Sequence, residues 1–356
     1  MGVWNWLWEA LTREPSRTSP APRSRPGGST EGSAVATADR THHNPAQSGG
    51  DQEDARWWAP EGALLTEPVT PERPELAPEA RALENLLISH FDGHDLKLPP
   101  LLHVAEGILS GLRDPKCNMP AIANQIAADQ VVTAAVLRMA NSPLYRGMHK
   151  ITGLQPAVVR LGVKAIRTLM MHESLRAAMF HGAGVSSEYA RMLWERSLAG
   201  ACTMRGLSRF SSLNEEDAHL IGLLHDIGGV IVLRVAHDDH VFTRYDIDID
   251  SFEYFCYECH QEFGELVADA WRLPDTLKTL ITSHHKYPAE NDPLRRERLL
   301  IMLTDMINSM LGYGPPASYD LLNTNVVKDL GLAERRDFVK YLEELPAQLD
   351  ETVSAF

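Results

Sequence analysis

Cysteine is scarce in this chain, four unevenly spaced residues in 356, which excludes a disulfide framework and points to a reducing compartment. Also missing are the basic start, apolar core and small-residue cleavage site of a secretory leader: the opening MGVWNWLWEALTREPSR carries none of them, and no apolar run reads as long enough to span a bilayer. The cytoplasm is the expected compartment. Positive charge is in deficit, 34 Lys and Arg against 48 Asp and Glu for a formal net charge of -14, which argues against broad attraction to nucleic acid or anionic lipid. No Gly-rich phosphate loop of Walker type occurs, and no local signature of Ser-His-Asp catalysis.

Apolar residues are sparse near the N-terminus. Residues 1–80 hold ten of the 22 prolines, and 15–55 mix Ser, Pro, Gly and Arg; such a stretch cannot bury enough surface to offset its conformational entropy, so 1–80 is expected to be a disordered tail. Yet Trp4, Trp6, Trp8, Trp57 and Trp58 all fall within it. Val3, Trp4, Leu7, Trp8 and Leu11 repeat at helical spacing, as in a short amphipathic helix for a partner or a membrane interface, although so short a helix is marginal alone and a floppy or back-folded end is the plainer reading. Gly2 does not open a myristoylation pattern, because Trp6 occupies the Ser/Thr position.

From about residue 80 onward the chain has helical periodicity. Apolar residues recur at three- and four-residue spacing from PEARALENLLISHF, and little alternates like a strand. This predicts an all-α domain over 81–310, with halves at about 96–185 and 186–310. A helix is expected from Pro99-Pro100 to Asp114-Pro115, then two short helices with a stop at Ser142-Pro143. Leu154, Val158, Leu161, Val163, Ile166 and Leu169 form the next buried face, with Met170 and Met171 as core filler. Residues 311–356 read as a helical extension: a break at Pro315-Pro316, a short helix, a turn at Gly331, and a longer helix from near Ala333 with Leu332, Phe338, Leu342 and Leu345 on one side. Docking on the preceding domain is expected, with pairing to another chain as the alternative.

Within the domain, AHLIGLLHDIGGVIVL (218–233) is an apolar run with His225 and Asp226 side by side. Burying such a pair costs several kcal/mol unless each group finds a partner or a metal. Candidate partners follow: His219, His225, His237, His240, His260, His284 and His285 are seven of the chain's fifteen histidines, and Asp305 sits in a later apolar segment. Neutral imidazoles with carboxylates are the ligand set of zinc, manganese and iron sites, and helices can gather them across a bundle. Singly, each histidine reads as a satisfied core or surface residue; the doublet with the later His and Asp is the stronger signal.

The ordered segments LPPL, LRMANSPLY, LQPAVVRLGVKAIRTL, LLHDIGG, His260 before FGELVADAWRLP, and SHH, spread over about 96–310, resemble the HDOD family of bacterial regulatory proteins. The resemblance implies a fold similar to the HD superfamily of metal-dependent phosphohydrolases, with many members acting without catalysis. It matches His225 and Asp226 to the superfamily's doublet, His260, His284 and His285 to its later histidines, and Asp305 to its late Asp, residues that there hold metal and activate water against a phosphoester. One position departs. LWERSLAGA resembles a Trp-x-His-Ser helix start, with Trp194 and Ser197 in place but Arg196 where the His belongs.

A guanidinium has no lone pair to offer and stays protonated. A fixed positive charge about 5 Å from a divalent ion costs on the order of 6 kcal/mol at an effective dielectric near 20. The expectation is therefore a metal-free, ion-paired pocket in which Arg196, an anion-binding candidate, suits the Asp226 carboxylate or a phosphate. A weakly held divalent metal is the alternative, and no other cofactor is expected. Cys256-x-x-Cys259-His260 spells a c-type haem attachment pattern, but that reading needs export, and two ordinary cysteines are preferred to a redox or metal-binding pair. YDIDID (245–250) lacks the turn Gly and the final Glu of a calcium loop, and Gly228-Gly229 read as close helix packing or a turn. The function expected is a cytoplasmic signal-transduction protein whose HDOD domain is a non-catalytic binding or scaffolding module, with a protein partner first and a nucleotide second. The alternative is a metal-dependent phosphohydrolase or phosphodiesterase acting on a nucleotide or cyclic dinucleotide through His225, Asp226, His260, His284 or His285, and Asp305.

Overall fold

The computed structural model describes residues 57–58, 65–68, 76–93, 98–99, 103–113, 118–142, 145, 149–180, 187–245 and 247–355; the segment with Trp4, Trp6 and Trp8 lies outside them. Among the described residues the regular elements are helices, apart from one isolated bridge between Leu65 and Tyr319. Helix α1 (Pro78–Gly93) opens on a proline and α2 (His103–Arg113) follows the Pro99 region. Asp129 separates α3 (Met119–Ala127) from α4 (Gln130–Asn141) by accepting the backbone N–H groups of Val131 and Val132 at 2.8 and 3.0 Å. Extended Ser142, preceding Pro143, ends α4.

Helix α5 (Leu154–Phe180) departs from the single face read in the sequence: Gly162, at φ 72°, bends it into two pieces. Met170 and Met171 are buried core, as expected.

The second half is arranged around α6 (Ser187–Leu207), which packs against α7 (Glu215–Leu224), α12 (Arg295–Met310) and α14 (Arg336–Ala355). Between them run α8 (Gly229–Asp238), α9 (Val241–Arg244), α10 (Ile249–Ala270), α11 (Asp275–Ile281) and α13 (Asn325–Asp329). Crossing of α6 and α7 is close enough that a Cβ on Gly222 would fall 2.2 Å from the Gly200 carbonyl oxygen. By length and composition Glu215–Asp238 could cross a membrane, contrary to the sequence reading, but the turn at 225–228 splits it into α7 and α8 and most of it is buried in the core.

Contacts join the two halves. Trp271 Nε1 donates to the Pro99 carbonyl at 2.8 Å, and Lys164 and Arg167 of α5 pair with Asp217 of α7. Helix α14 buries Phe338, Tyr341, Leu342 and Leu345, and the Tyr341 hydroxyl donates to the Thr203 carbonyl at 2.9 Å. Part of the stretch read as a disordered tail is packed as well. Trp58 is buried, Trp57 Nε1 donates to the Leu342 carbonyl at 3.0 Å, and the Leu65 N–H donates to the Ser318 carbonyl at 3.0 Å. A tail reaching to residue 80 is thus too long; paired indoles hold more apolar surface than the surrounding composition suggests.

Candidate metal centre

The turn between α7 and α8 presents the doublet. His225 closes α7, and Asp226 opens a turn whose Gly228 lies against α10, where a Cβ would fall 2.0 Å from the His260 carbonyl oxygen. No other residue permits that approach without moving α10, and the approach brings His260 beside Asp226. His284 and His285 follow α11, and Asp305 lies on α12. Four separate pieces of chain thus converge: His260 Nε2 stands 3.2 Å from His284 Nε2 and 2.9 Å from His285 Nε2, while Asp226 Oδ1 stands 3.6 Å from His260 Nε2 and 3.5 Å from His284 Nε2.

Hydrogen bonds fix which way the lone pairs face. His260 Nδ1 sits 2.6 Å from the Tyr257 carbonyl, and His284 Nδ1 3.0 Å from the Ile281 carbonyl. A carbonyl only accepts, so each Nδ1 carries a proton, and in the neutral ring the Nε2 that faces the cluster is then the lone-pair nitrogen. Burial holds the His260 imidazole down to about 4 and the His285 imidazole well below its ordinary 6.5, so these rings are neutral. Two imidazole lone pairs and a carboxylate oxygen facing one another repel unless a cation lies between them. Tetrahedral zinc with Zn–N of about 2.0–2.1 Å separates its donors by roughly 3.3 Å. These four distances bracket that spacing, all four donor atoms lie within 4.8 Å of one another, and the set suits a divalent metal in its chemistry.

His225 is in a different state. Its Nδ1 donates to the Gly222 carbonyl at 2.8 Å and its Nε2 to Asp305 Oδ1 at 2.9 Å, so both nitrogens carry protons. Burial alone would lower this imidazolium, but the Asp226 and Asp305 carboxylates outweigh it and hold it up at about 9. Burial likewise favours the neutral Asp226, yet the protonated His225 beside it outweighs burial and holds its carboxyl well below the usual range. His225 and Asp305 can join a second donor set with His284 only if this ion pair opens.

Arg196 corrects the expectation. It does not meet Asp226; its Nη2 pairs with Glu253 Oε1 at 3.0 Å, both side chains about nine-tenths buried. That carboxylate offsets the positive charge thought to keep metal out, so the charge argument for a metal-free pocket fails. Glu253 was missed in the sequence, although Glu253, Cys256 and His260 fall at i, i+3 and i+7 on one face of α10. Arg196, Cys256, Asp226, His260, His285 and Asp305 line one cavity of about 310 Å³. Cys256 and Cys259 are free, buried thiols pushed up by burial, with no reactive character. Asp248, part of the acidic YDIDID stretch, caps α10 through the Ser251 N–H at 2.8 Å. His237 and His240 lie outside both donor sets, as does His219.

Comparison with known proteins agrees with the helical fold. The family model for the HDOD domain matches residues 98–287. Among solved structures, a candidate metal-dependent phosphohydrolase from Shewanella amazonensis SB2B superposes with a TM-score of 0.61 at 19% identity, covering 76% of this chain and 99% of the other. An HDOD domain protein of unknown function from Geobacter sulfurreducens gives 0.56 at 21% identity, covering 77% and 97%. A candidate signal transduction protein from Marinobacter aquaeolei VT8 gives 0.56 at 19%, covering 78% and 66%. Such identities carry the fold alone. An uncharacterized protein of Treponema pallidum is 21% identical over 237 residues, 64% of this chain, which spans 44% of that protein's length.

Proposed function

We propose, from the premise that this chain belongs to the HDOD domain family, that it is a signal-transduction module whose helical domain holds one divalent metal and binds an anionic ligand or partner group without turning it over. The inward-facing lone pairs of His260 and His284 beside Asp226 carry this reading. Asp226, His260, His284 and His285 would hold the metal, which as a Lewis acid would brace the cluster and attract an anion. Four protein donors leave tetrahedral zinc no open position for water, which is the mark of a bracing rather than a hydrolytic site. Arg196 lines the adjoining cavity and is the guanidinium in its lining that suits an anion arriving there.

A second reading has its own support. Asp226, His260, His285 and Asp305 all border the cavity, as a metal-dependent phosphohydrolase acting on a nucleotide would need, and six-coordinate manganese or iron would keep open positions beside the same four donors. Elemental analysis of the purified chain, followed by assays with nucleotides and cyclic dinucleotides, separates the two. The binding module predicts about one metal per chain and no turnover. Phosphoester hydrolysis that disappears in Asp226→Ala would establish the hydrolase instead, and absence of metal would sink both. A protein partner and a cytoplasmic location belong to the same proposal, supported by the resemblance to regulatory proteins.

A further inference from the structure

The cavity beside the cluster has one wall that the family's domain does not supply. Residues 98–287 match the family, yet Pro68, Tyr313, Pro315, Pro316 and Tyr319, all outside that span, also line the cavity. This wall is a strap. It leaves α12 where the Tyr313 N–H donates to the Asn308 carbonyl at 2.8 Å, lines the cavity through Pro315-Pro316, and is then clamped by the N-terminal flank. The Leu65 N–H donates to the Ser318 carbonyl at 3.0 Å, the Asp320 N–H to the Leu65 carbonyl at 3.1 Å, and Asn325 Nδ2 to Glu67 at 3.1 Å. Buried Tyr319 and Leu321 anchor its far end. Two consecutive prolines fix two φ angles, so the strap gives little there.

Such walls define what fits. The lining of the cavity combines Arg196 and metal-ligating side chains with the aromatic rings of Tyr313 and Tyr319 and the rings of Pro315 and Pro316. Its volume of about 310 Å³ lies at the bottom of the roughly 300–1,000 Å³ spanned by small-molecule pockets. We infer that the strap of residues 313–319, clamped by Leu65, restricts the cavity to a small monophosphate bearing one flat ring, with the phosphate toward Arg196 and the ring between Tyr313 and the prolines, and that it excludes dinucleotides. This inference rests on the reading of the cavity as the anion site beside a metal.

Calorimetric titration of the full chain tests it, with adenosine 5′-monophosphate and phenyl phosphate as ring-bearing probes, inorganic phosphate as the anion alone, and cyclic diguanylate as the oversize probe. At least one ring-bearing monophosphate binds, more tightly than phosphate by on the order of tenfold, and cyclic diguanylate produces no heat. In Pro315→Gly with Pro316→Gly, cyclic diguanylate binding appears while metal content is unchanged. Leu65→Pro, which removes the N–H given to Ser318, does the same by releasing the clamp. Equal binding of cyclic diguanylate by the unaltered chain, phosphate as tight as the ring-bearing probes, binding of neither ring-bearing probe, or unaltered selectivity in both variants overturns the inference. A chain that holds metal yet fails these tests sinks this inference alone; a chain without metal sinks the reading beneath it.

Discussion

At the scale of the residue, a guanidinium in the wall of a metal site is tolerable only because of the carboxylate that meets it. Glu253 and Arg196 form a pair about nine-tenths buried at 3.0 Å, and removing one member of such a pair leaves the other uncompensated. Glu253→Gln keeps the shape and removes the charge. The repulsion of about 6 kcal/mol at 5 Å and an effective dielectric near 20 bounds the effect from above, and within that bound metal affinity is expected to fall on the order of tenfold in chelator competition. Unchanged affinity would mean that Arg196 is too far from the metal for its charge to matter. His284→Ala is a sharper test of the donor set itself. His284 is fully buried with its Nε2 toward Asp226, and its loss should cost metal affinity on the order of 100-fold or more; stoichiometric metal in that variant would remove His284 from the site.

At the scale of the element, one close helix approach decides whether the donors can meet. Gly228 touches the His260 carbonyl at a distance no Cβ allows, and the nearby contacts are backbone, which cannot rotate away. Gly228→Ala must push α10 outward, and overpacking of that kind costs on the order of 3 kcal/mol. Lowered thermal stability is expected together with reduced metal content, because His260 rides on the same helix; a variant that melts like the unaltered chain would show that α10 is free to shift. How much of this was legible follows from the type of interaction. Helical periodicity and proline stops are local, so the all-α class, the pair of short helices and the Ser142-Pro143 stop appear in the sequence. His225, Asp226, His260, His284, His285 and Asp305 were legible because their order along the chain matches a known family. The Arg196–Glu253 pair spans 57 residues, and the clamp from Leu65 to Ser318 spans most of the chain; neither carries a local signature, and each depends on where whole helices come to rest. Gly162 had no partner residue to betray its bend, since its role lies in its own φ angle.

At the scale of the whole molecule, the junction of the two halves makes stability sensitive to acid. His172, on α5, is buried with its ring edge-on to Trp194 of α6 at 4.7 Å, and burial first, then the Arg176 charge, holds it down to about 3 from an ordinary 6.5. The sign follows from which state binds the proton. Above pH 6.5 the ring is neutral in both folded and unfolded chains and contributes nothing to the pH dependence. Between 6.5 and about 3 only the unfolded chain takes up the proton, so stability falls as the pH falls through that window. From pH 7 to pH 5 the loss from this one group is about 2 kcal/mol, taking the unfolded histidine at 6.5. His219, on α7, is held down in the same direction by burial and by the charges of His172 and Arg205, which puts two such groups at the α5–α7 contact. Replacing His172 with Phe keeps a flat ring against Trp194 and removes the titration. Urea unfolding at pH 7 and pH 5 should then show the unaltered chain losing about 2 kcal/mol more than His172→Phe across that interval. Equal losses in the two proteins would mean that the junction opens to water before the molecule unfolds, so that the histidine is protonated in the folded state and the two halves are less tightly joined than their packing indicates.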